Sequence, residues 1–268
     1  MPSPIYTAEN CPPAYQLRWS LSLFADHDIP NSEEMRRLLK GALEADGIRL
    51  LELHFATPSR PQLYVSTKPF VAPSDVARLV KGRWYYLLRD RFPKLWQRHY
   101  SISSVGEAKC DVLQNYLSRQ LEHHRVSDER AINLLTEFSV HQPKIDLKTL
   151  RSSGHSKYSH NLQIVFENDG RLADIRPESL ALTQSMFLAA CLKKGWLLAR
   201  LALVTNHLHS LIGCGINDNP RTVALSLMNN VAFAHGMKPL FASSYYVGTF
   251  GAYDHGAILN SLAEQQPP

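Results

Sequence analysis

The chain has 268 residues, of which 44% are hydrophobic and 20% are charged, and its formal net charge is +5 at pH 7. This length can bury a sizeable core in one large or two small domains, and the composition excludes a disordered chain. No run of about 18 apolar residues predicts a membrane span, and we expect no signal peptide. Four scattered cysteines without C-x-x-C spacing are typical of reduced thiols, so we expect a cytoplasmic protein.

The excess of positive charge lies in the first half of the chain. Residues 1–120 hold 16 Lys and Arg against 12 Asp and Glu, whereas residues 158–268 hold seven of each. A basic chain with pI near 9.0 suggests an anionic partner. Any such partner is therefore expected to contact the first half.

The first half predicts elements in the order β-α-β-β-α-β-α. Alternating apolar residues over 15–24 predict a strand, and Asn31-Ser32 followed by two glutamates predicts the start of a helix that Gly47 ends. The remaining predicted elements are strands at 48–55, 62–66 and 99–103, a helix over 73–87, and a last helix from Glu107 through Tyr116.

The second half predicts the same order. Its strands are expected at 161–167, 196–203, around His207 and at 245–247, and its helices at 179–194, 223–233 and from about Asp254. Each half thus predicts a ferredoxin-like split unit with an added helix, and the fold class is α+β with antiparallel sheets. Residues 100–106 align with 245–251 without a gap, and residues 58–62 align with 205–209. We therefore predict a duplicated domain, with halves at 14–125 and 157–268 joined by a connector at 126–156. Two unrelated α+β domains are the alternative.

Paired histidines are the main candidate for chemistry. His207 and His209 are two apart on a predicted strand, so they lie on one face and form half of a metal site. The simpler interpretation is a strand with two histidines at its solvent end. The first half has Arg60 and Gln62 at these positions. Conversely, Tyr116 in the last helix of the first half aligns with Ser261, so each half keeps what the other lacks.

These motifs resemble the single-tyrosine HUH transposases of small insertion sequences and their domesticated REP-associated relatives. Asn206-His207-Leu208-His209 is similar to the Pro-Asn/Asp-His-hydrophobic-His strand of that family, and residues 116–120, Tyr-Leu-Ser-Arg-Gln, to its Tyr-x-x-x-Gln helix. Lys81-Gly82, Phe92-Pro93 and Ser104-Val105-Gly106 also look like family features. Thr205 stands in place of the usual proline, and Ser210 in place of a usual apolar residue.

The resemblance implies composite sites, because family homodimers combine the histidines of one subunit with the tyrosine helix of the other. This chain then resembles a fused pseudo-dimer of two ferredoxin-like (RRM-like) domains with one remaining site. A monomer would suffice, and a higher assembly remains open. Transposition that needs two sites is less expected than nicking.

The resemblance also implies the chemistry of that site. Tyr116 would attack a DNA phosphate and leave a 5′-phosphotyrosine and a free 3′-OH, so rejoining needs no ATP. Mg²⁺ or Mn²⁺ would be held by His207, His209 and a side-chain amide, with Gln120 favoured and Gln265 competing. Rival nucleophiles are disfavoured because their register does not match that of Tyr116. They are Tyr245, Tyr246 and Tyr253.

Single-stranded or hairpin DNA is the expected partner. Cations beside aromatic rings in the basic helix suit nucleic acid, although a solvated helix face is the common explanation of such a pattern. The candidate DNA-binding residues are Arg78, Lys81, Arg83, Arg89, Arg91, Lys94 and Arg98. Two other functions stay open: a non-catalytic protein that binds a DNA or RNA hairpin, and a metal hydrolase that uses water at the His pair.

Overall fold

The computed structural model describes residues 3–118, 128–169, 176–253 and 256. Over these residues it is an α+β protein with two six-stranded mixed sheets and six helices. The helices are α1 (Glu33–Ala45), α2 (Pro73–Leu88), α3 (Cys110–Ser118), α4 (Glu129–Phe138), α5 (Pro177–Lys194) and α6 (Pro220–Ala234). The predicted terminal helix from Asp254 lies almost entirely outside the described residues.

The strands follow in chain order through both halves. They are β1 (Pro13–Gln16), β2 (Arg18–Ala25), β3 (Ile48–Thr57), β4 (Arg60–Thr67), β5 (Trp96–Val105), β6 (Val140–His141), β7 (Arg151–Ser153), β8 (Ser156–Ser159), β9 (Asn161–Glu167), β10 (Leu197–Leu203), β11 (His207–Gly213) and β12 (Tyr245–Thr249). The first sheet has the order β3-β4-β2-β5-β8-β7, and the second has β10-β11-β9-β12-β1 with β6 beside β10. The four strands that each half contributes to its own sheet pair antiparallel in the same order.

The two halves exchange a strand. β1 pairs parallel with β12 in the second sheet, and β8 pairs parallel with β5 in the first. The prediction of one strand over 15–24 is therefore wrong, because the chain changes sheets at Leu17. That residue is buried in the core of the second sheet, whereas Trp19 is buried in the core of the first. Apolar alternation continues across the junction, so the pattern contains no sign of the change.

The junction between the sheets is reciprocal. Pro13 lies opposite Tyr245 in the same way that Ser156 lies opposite Tyr100. The Ser104 hydroxyl donates to the carbonyl of Phe250, and the Thr249 hydroxyl donates to the carbonyl of Val105, each at 2.7 Å. Gly106 and Gly251 follow these strands, and a Cβ on either would collide with the opposing backbone. Close approach of these two backbone segments explains both glycines.

Each sheet covers its own core on one face. Helices α1 and α2 pack on the first sheet around Trp19 and Trp84, and helices α4 to α6 pack on the second around Phe166 and Phe187. The starts of two helices agree with the sequence: Ser32 accepts a hydrogen bond from the Met35 amide, and α2 begins at Pro73. No helix among the described residues is long and apolar enough to cross a bilayer.

Candidate active site

The two histidines lie on the face of β11 that points away from the core of the second sheet, with His207 half-buried and His209 buried. In register, His207 is opposite Glu167 of β9 and His209 is opposite Val165, while Leu208 faces the core. The two imidazole rings are 4.7 Å apart between centroids and meet edge to face. This arrangement follows from the period of two along a strand, with neighbouring strands fixing both backbone edges.

Hydrogen bonds define how His207 is held. Its Nδ1 is 2.7 Å from the Asn206 side-chain oxygen. Because an amide oxygen only accepts, Nδ1 is the donor in this contact, which in a neutral imidazole leaves the lone pair on Nε2. Asn168 holds the turn before β11 through two hydrogen bonds. Its backbone N–H donates to the Asn206 carbonyl at 2.8 Å, and its side-chain amide donates to the Thr205 carbonyl at 3.1 Å.

The tyrosine-bearing helix belongs to the first half but packs on the second sheet. Cys110 and Leu117 of α3 are buried in a small cluster with Leu211 of β11 and Phe250. The guanidinium of Arg200 on β10 donates to the carbonyl of Gln114 at 2.7 Å. Asp111 of α3 also forms an ion pair with Lys148, at 2.7 Å. Apolar contact and charge therefore both fix α3 across the face that carries the histidines.

This docking brings Tyr116 to the histidines. The Tyr116 side chain is 44% exposed and lines a cavity of about 550 Å³ together with His207 and His209. The remaining described residues around that cavity are Val165, Glu167, Asn168 and Asn206. The candidate nucleophile of one half thus shares a cavity with the candidate metal ligands of the other.

Sequence reasoning missed the contribution of β9 to this cavity. Glu167 and Asn168 end the apolar strand that pairs with the histidine strand. The sequence did contain one sign of a site here, namely two polar residues at the end of a buried strand. Their position beside His207 depends on strand register, which the sequence does not display.

The candidate third ligands cannot be placed. Gln120 and Gln265 lie outside the described residues. Among residues 3–118, 128–169, 176–253 and 256, no group of three or more His, Cys, Asp or Glu side chains is close enough to hold a metal ion. A set of two histidines and an amide is not such a group.

The rival tyrosines do not line the cavity that Tyr116 shares with the histidines. Tyr245 is buried in the core of the second sheet, and burial raises its pKa to about 12, which makes ionisation harder. Burial also raises the pKa of Tyr246. Tyr253 is 63% exposed. Their positions give no reason to prefer them as nucleophiles.

Several of the predicted DNA-binding cations have partners within the protein, including Lys94, whose ammonium is 3.6 Å from the Asp26 carboxylate. Arg83 makes a two-pronged ion pair with Asp46, both contacts at 2.7 Å, and Arg78 pairs with Asp75. The Lys81 ammonium donates to three consecutive carbonyls of β5, and burial lowers its pKa. Lys94 and the other predicted cations, Arg89, Arg91 and Arg98, lie on exposed residues at the end of α2 and beyond it. DNA binding by these residues stays a prediction.

One family model matches part of the first half. Residues 26–120 match the family model described as Transposase IS200 like. This segment is similar to the IS200-like transposases. The resemblance noted in the sequence is thereby confirmed. The matched transposase segment contains Tyr116 and Gln120, whereas the histidine pair lies beyond it in the chain.

Two solved structures are also similar to part of the chain. One is a candidate transposase from Deinococcus radiodurans R1, at 21% identity, a TM-score of 0.31, and coverage of 40% of this chain and 92% of that one. The other is the REP-associated tyrosine transposase bound to a REP hairpin, at 8% identity, a TM-score of 0.31, and coverage of 41% and 68%. No curated protein matches the chain.

Proposed function

We propose that this chain is a metal-dependent enzyme of the tyrosine transposase type that nicks and rejoins single-stranded DNA at one composite site. The observation that carries the proposal is the shared cavity of Tyr116, His207 and His209. The match of the first half to IS200-like transposases supports the reaction class. Catalysis would then need both halves of one chain.

We further propose that the chain is a tandem duplication of a ferredoxin-like domain, arranged as a single-chain pseudo-dimer. The equal order of the antiparallel strands and the reciprocal register of β1 and β8 support this proposal. The proposed halves are 14–125 and 157–268, with the connector at 126–156. One strand of each unit would be donated across the junction, as in an exchanged dimer.

The donor set at the cavity fits a divalent cation. Two imidazoles lie side by side, and Asn206 holds His207 in the tautomer that leaves Nε2 able to bind a metal. We propose His207 and His209 as ligands, with the amide of Gln120, or alternatively Gln265, completing the protein ligands. Mg²⁺ and Mn²⁺ both suit such nitrogen and oxygen donors. Bound there, the cation would supply positive charge to the scissile phosphate and the leaving oxygen.

The residues of the chain account for the covalent step. The Tyr116 oxygen attacks phosphorus and forms a phosphotyrosine bond, the bond from phosphorus to the 3′ oxygen breaks, and the phenolic proton is lost to solvent. The 3′ oxygen takes up a proton and leaves as a hydroxyl. Because the new ester keeps the energy of the original one, the reverse attack by a 3′-OH rejoins DNA without ATP. Docking of α3 by Arg200 and Leu211 holds Tyr116 over the cavity.

The proposed partner is single-stranded or hairpin DNA, bound by exposed cations of the first half. The REP-associated transposase among the similar structures is described as bound to a REP hairpin. We propose that hairpin recognition extends to this chain, which we expect to act in the cytoplasm.

The test is formation of a covalent adduct. Purified protein, Mn²⁺ and labelled single-stranded DNA from the flanks of its gene should give label that migrates with protein on a denaturing gel. Tyr116→Phe and His207→Ala should each reduce the adduct by at least about 100-fold, because nucleophile and ligand act together. Tyr253→Phe, at an exposed tyrosine away from the cavity, is the matched control and should leave the adduct unchanged.

Other outcomes separate the alternatives. An adduct that survives Tyr116→Phe would mean that another residue is the nucleophile. Tight hairpin binding by the wild type without any adduct would favour a non-catalytic DNA- or RNA-binding protein. Release of product with no covalent protein would favour hydrolysis by water at the His pair.

A further inference from the structure

The basic side chains associated with α2 fall into two groups. Arg78, Lys81 and Arg83 are engaged within the fold, with carboxylates or backbone carbonyls as partners. Arg89 and Arg91, just beyond the helix, instead stand beside aromatic rings. Among the residues that the structure describes, the ion pair of Arg89 is a long one, 3.9 Å to the exposed Asp90. The second group is therefore placed to meet a ligand.

Each of these two arginines lies against an aromatic ring near the C-terminal end of α2. The guanidinium carbon of Arg89 is 4.5 Å from the ring centroid of Tyr86, and that of Arg91 is 5.1 Å from the centroid of Phe92. The ring of Phe92 also stacks on His27, with 5.2 Å between centroids and 18° between planes. We call these five residues the aromatic patch.

Tyr86 is the residue that core packing does not explain. Its side chain is 63% exposed, while its neighbour Trp84 is buried and Phe92 is partly packed against the core of the first sheet. An exposed tyrosine alone is common on a helix. Here the ring meets a guanidinium, and a stacked pair of rings lies on the same end of the helix.

The second half provides an internal comparison. Counting from the proline that begins each helix, Phe233 of α6 holds the position of Tyr86, and Gly236 holds that of Arg89. Phe233 is 58% exposed, so the two rings are similarly accessible. The cation is thus absent from the corresponding position of the second half. The pair of Tyr86 and Arg89 therefore has no counterpart at the equivalent positions of α6, although Lys238 holds the position of Arg91.

We propose that the aromatic patch binds unpaired bases of single-stranded DNA, with a base stacked at Tyr86 and phosphates paired with Arg89 and Arg91. Every base has a flat face, and guanidinium groups pair with phosphate or stack on bases, so this surface suits a single strand rather than a duplex. The proposal rests on the proposed function and adds a site for the strand that leads to or from the cleaved phosphate.

Binding is measured by fluorescence anisotropy with the full chain, in EDTA so that no cleavage occurs. The probes are a labelled single strand of about 15 nucleotides and the duplex of the same sequence. Tyr86→Ala should weaken single-strand binding by about fivefold or more and duplex binding by less than about twofold, because only unpaired bases stack. Tyr86→Phe should restore single-strand affinity, and Tyr86→Leu should not. The joint change of Arg89 and Arg91 to alanine should flatten the salt dependence of binding.

Phe233→Ala is the matched control and should bind like the wild type. The proposal is overturned if Tyr86→Ala binds single strands as tightly as Phe233→Ala does, or if it weakens single strands and duplex equally. The proposed nicking activity is judged separately, by the Mn²⁺-dependent adduct of the wild type. If the wild type forms the adduct but Tyr86→Ala does not weaken single-strand binding, only the aromatic patch is rejected. If Tyr86→Ala weakens single-strand binding but the wild type forms no adduct, only the nicking activity is rejected.

Discussion

At the scale of single residues, His160 joins the two cores without any exposure to solvent. Its Nδ1 is 2.8 Å from the carbonyl of Gly215, so Nδ1 carries the proton and donates. Its ring meets that of Trp19 edge to face at 5.2 Å between centroids, and its own carbonyl accepts from the Cys214 amide. Burial lowers the pKa of His160 from 6.5 to about 4, since a charged imidazole would lose its hydration there.

This shift predicts acid destabilisation through His160. The unfolded chain binds a proton at this residue near pH 6.5 and the folded chain only near pH 4. The stability that depends on neutral His160 is therefore fully present above pH 6.5. As the pH falls from there to about 4, the free energy of unfolding decreases by about 3 kcal/mol. Urea unfolding of wild type and His160→Leu across this range measures it: the variant should lack this part of the pH dependence. His155→Gln, at an exposed histidine, should keep it. If the stability of His160→Leu depended on pH as strongly as that of the wild type, His160 would not be the source of the acid destabilisation.

At the scale of elements, α3 decides whether the proposed site exists. The helix is encoded directly after β5 of the first sheet, yet its apolar side packs on β10 and β11 of the second. Leu211 and Ile212 are neighbours on β11 that point to opposite faces, the first toward α3 and the second into the core of the second sheet. Substitutions at these two residues therefore distinguish the effect of α3 docking from the effect of a weakened sheet.

We expect Leu211→Ala and Ile212→Ala to destabilise the protein by a similar amount, about 2 to 5 kcal/mol, because each leaves a cavity at a fully buried position. Only Leu211→Ala removes contact with α3. It should lower the rate of adduct formation at a temperature where both variants remain folded, while Ile212→Ala should not. Thermal unfolding and the gel assay provide the two measurements. Equal rates in both variants would show that α3 docking does not control the site.

At the scale of the whole molecule, one chain supplies one candidate nucleophile and one histidine pair. Strand β1 is built into the second sheet and β8 into the first, so the two halves are interlocked through backbone hydrogen bonds. Such a chain cannot easily exchange one half with another molecule. A composite site should therefore form within each chain.

Mixing variants tests this conclusion. Tyr116→Phe and His209→Ala are each expected to be inactive, and an equimolar mixture should also form no adduct, because neither chain has both groups. The gel assay on the mixture measures the outcome, with the wild type diluted into either variant as the control. An adduct in the mixture would mean that sites form between chains, as in an assembly of the whole protein.

Local signals were sufficient for much of the secondary structure. Ser32 and Pro73 predicted the starts of α1 and α2, the apolar residues 161–167 predicted β9, and the spacing of His207 and His209 predicted their shared face. Caps and periodicity depend on residues a few positions apart, so they can be read along the chain. The resemblance to IS200-like transposases also followed from short motifs, and Tyr116 lies within the segment that matches their family model.

Long-range contacts decided the rest. The change of sheet at Leu17, the parallel pairing of β1 and β8, and the contribution of β9 to the cavity depend on which strand lies beside which. Lys81 and Arg83 looked like free cations because Asp46 and the carbonyls of β5 are distant in sequence. Tyr116 and the histidines are brought to one cavity only by the docking of α3. Partners across a sheet or a helix interface are chosen by packing of the whole chain, and no local pattern records that choice.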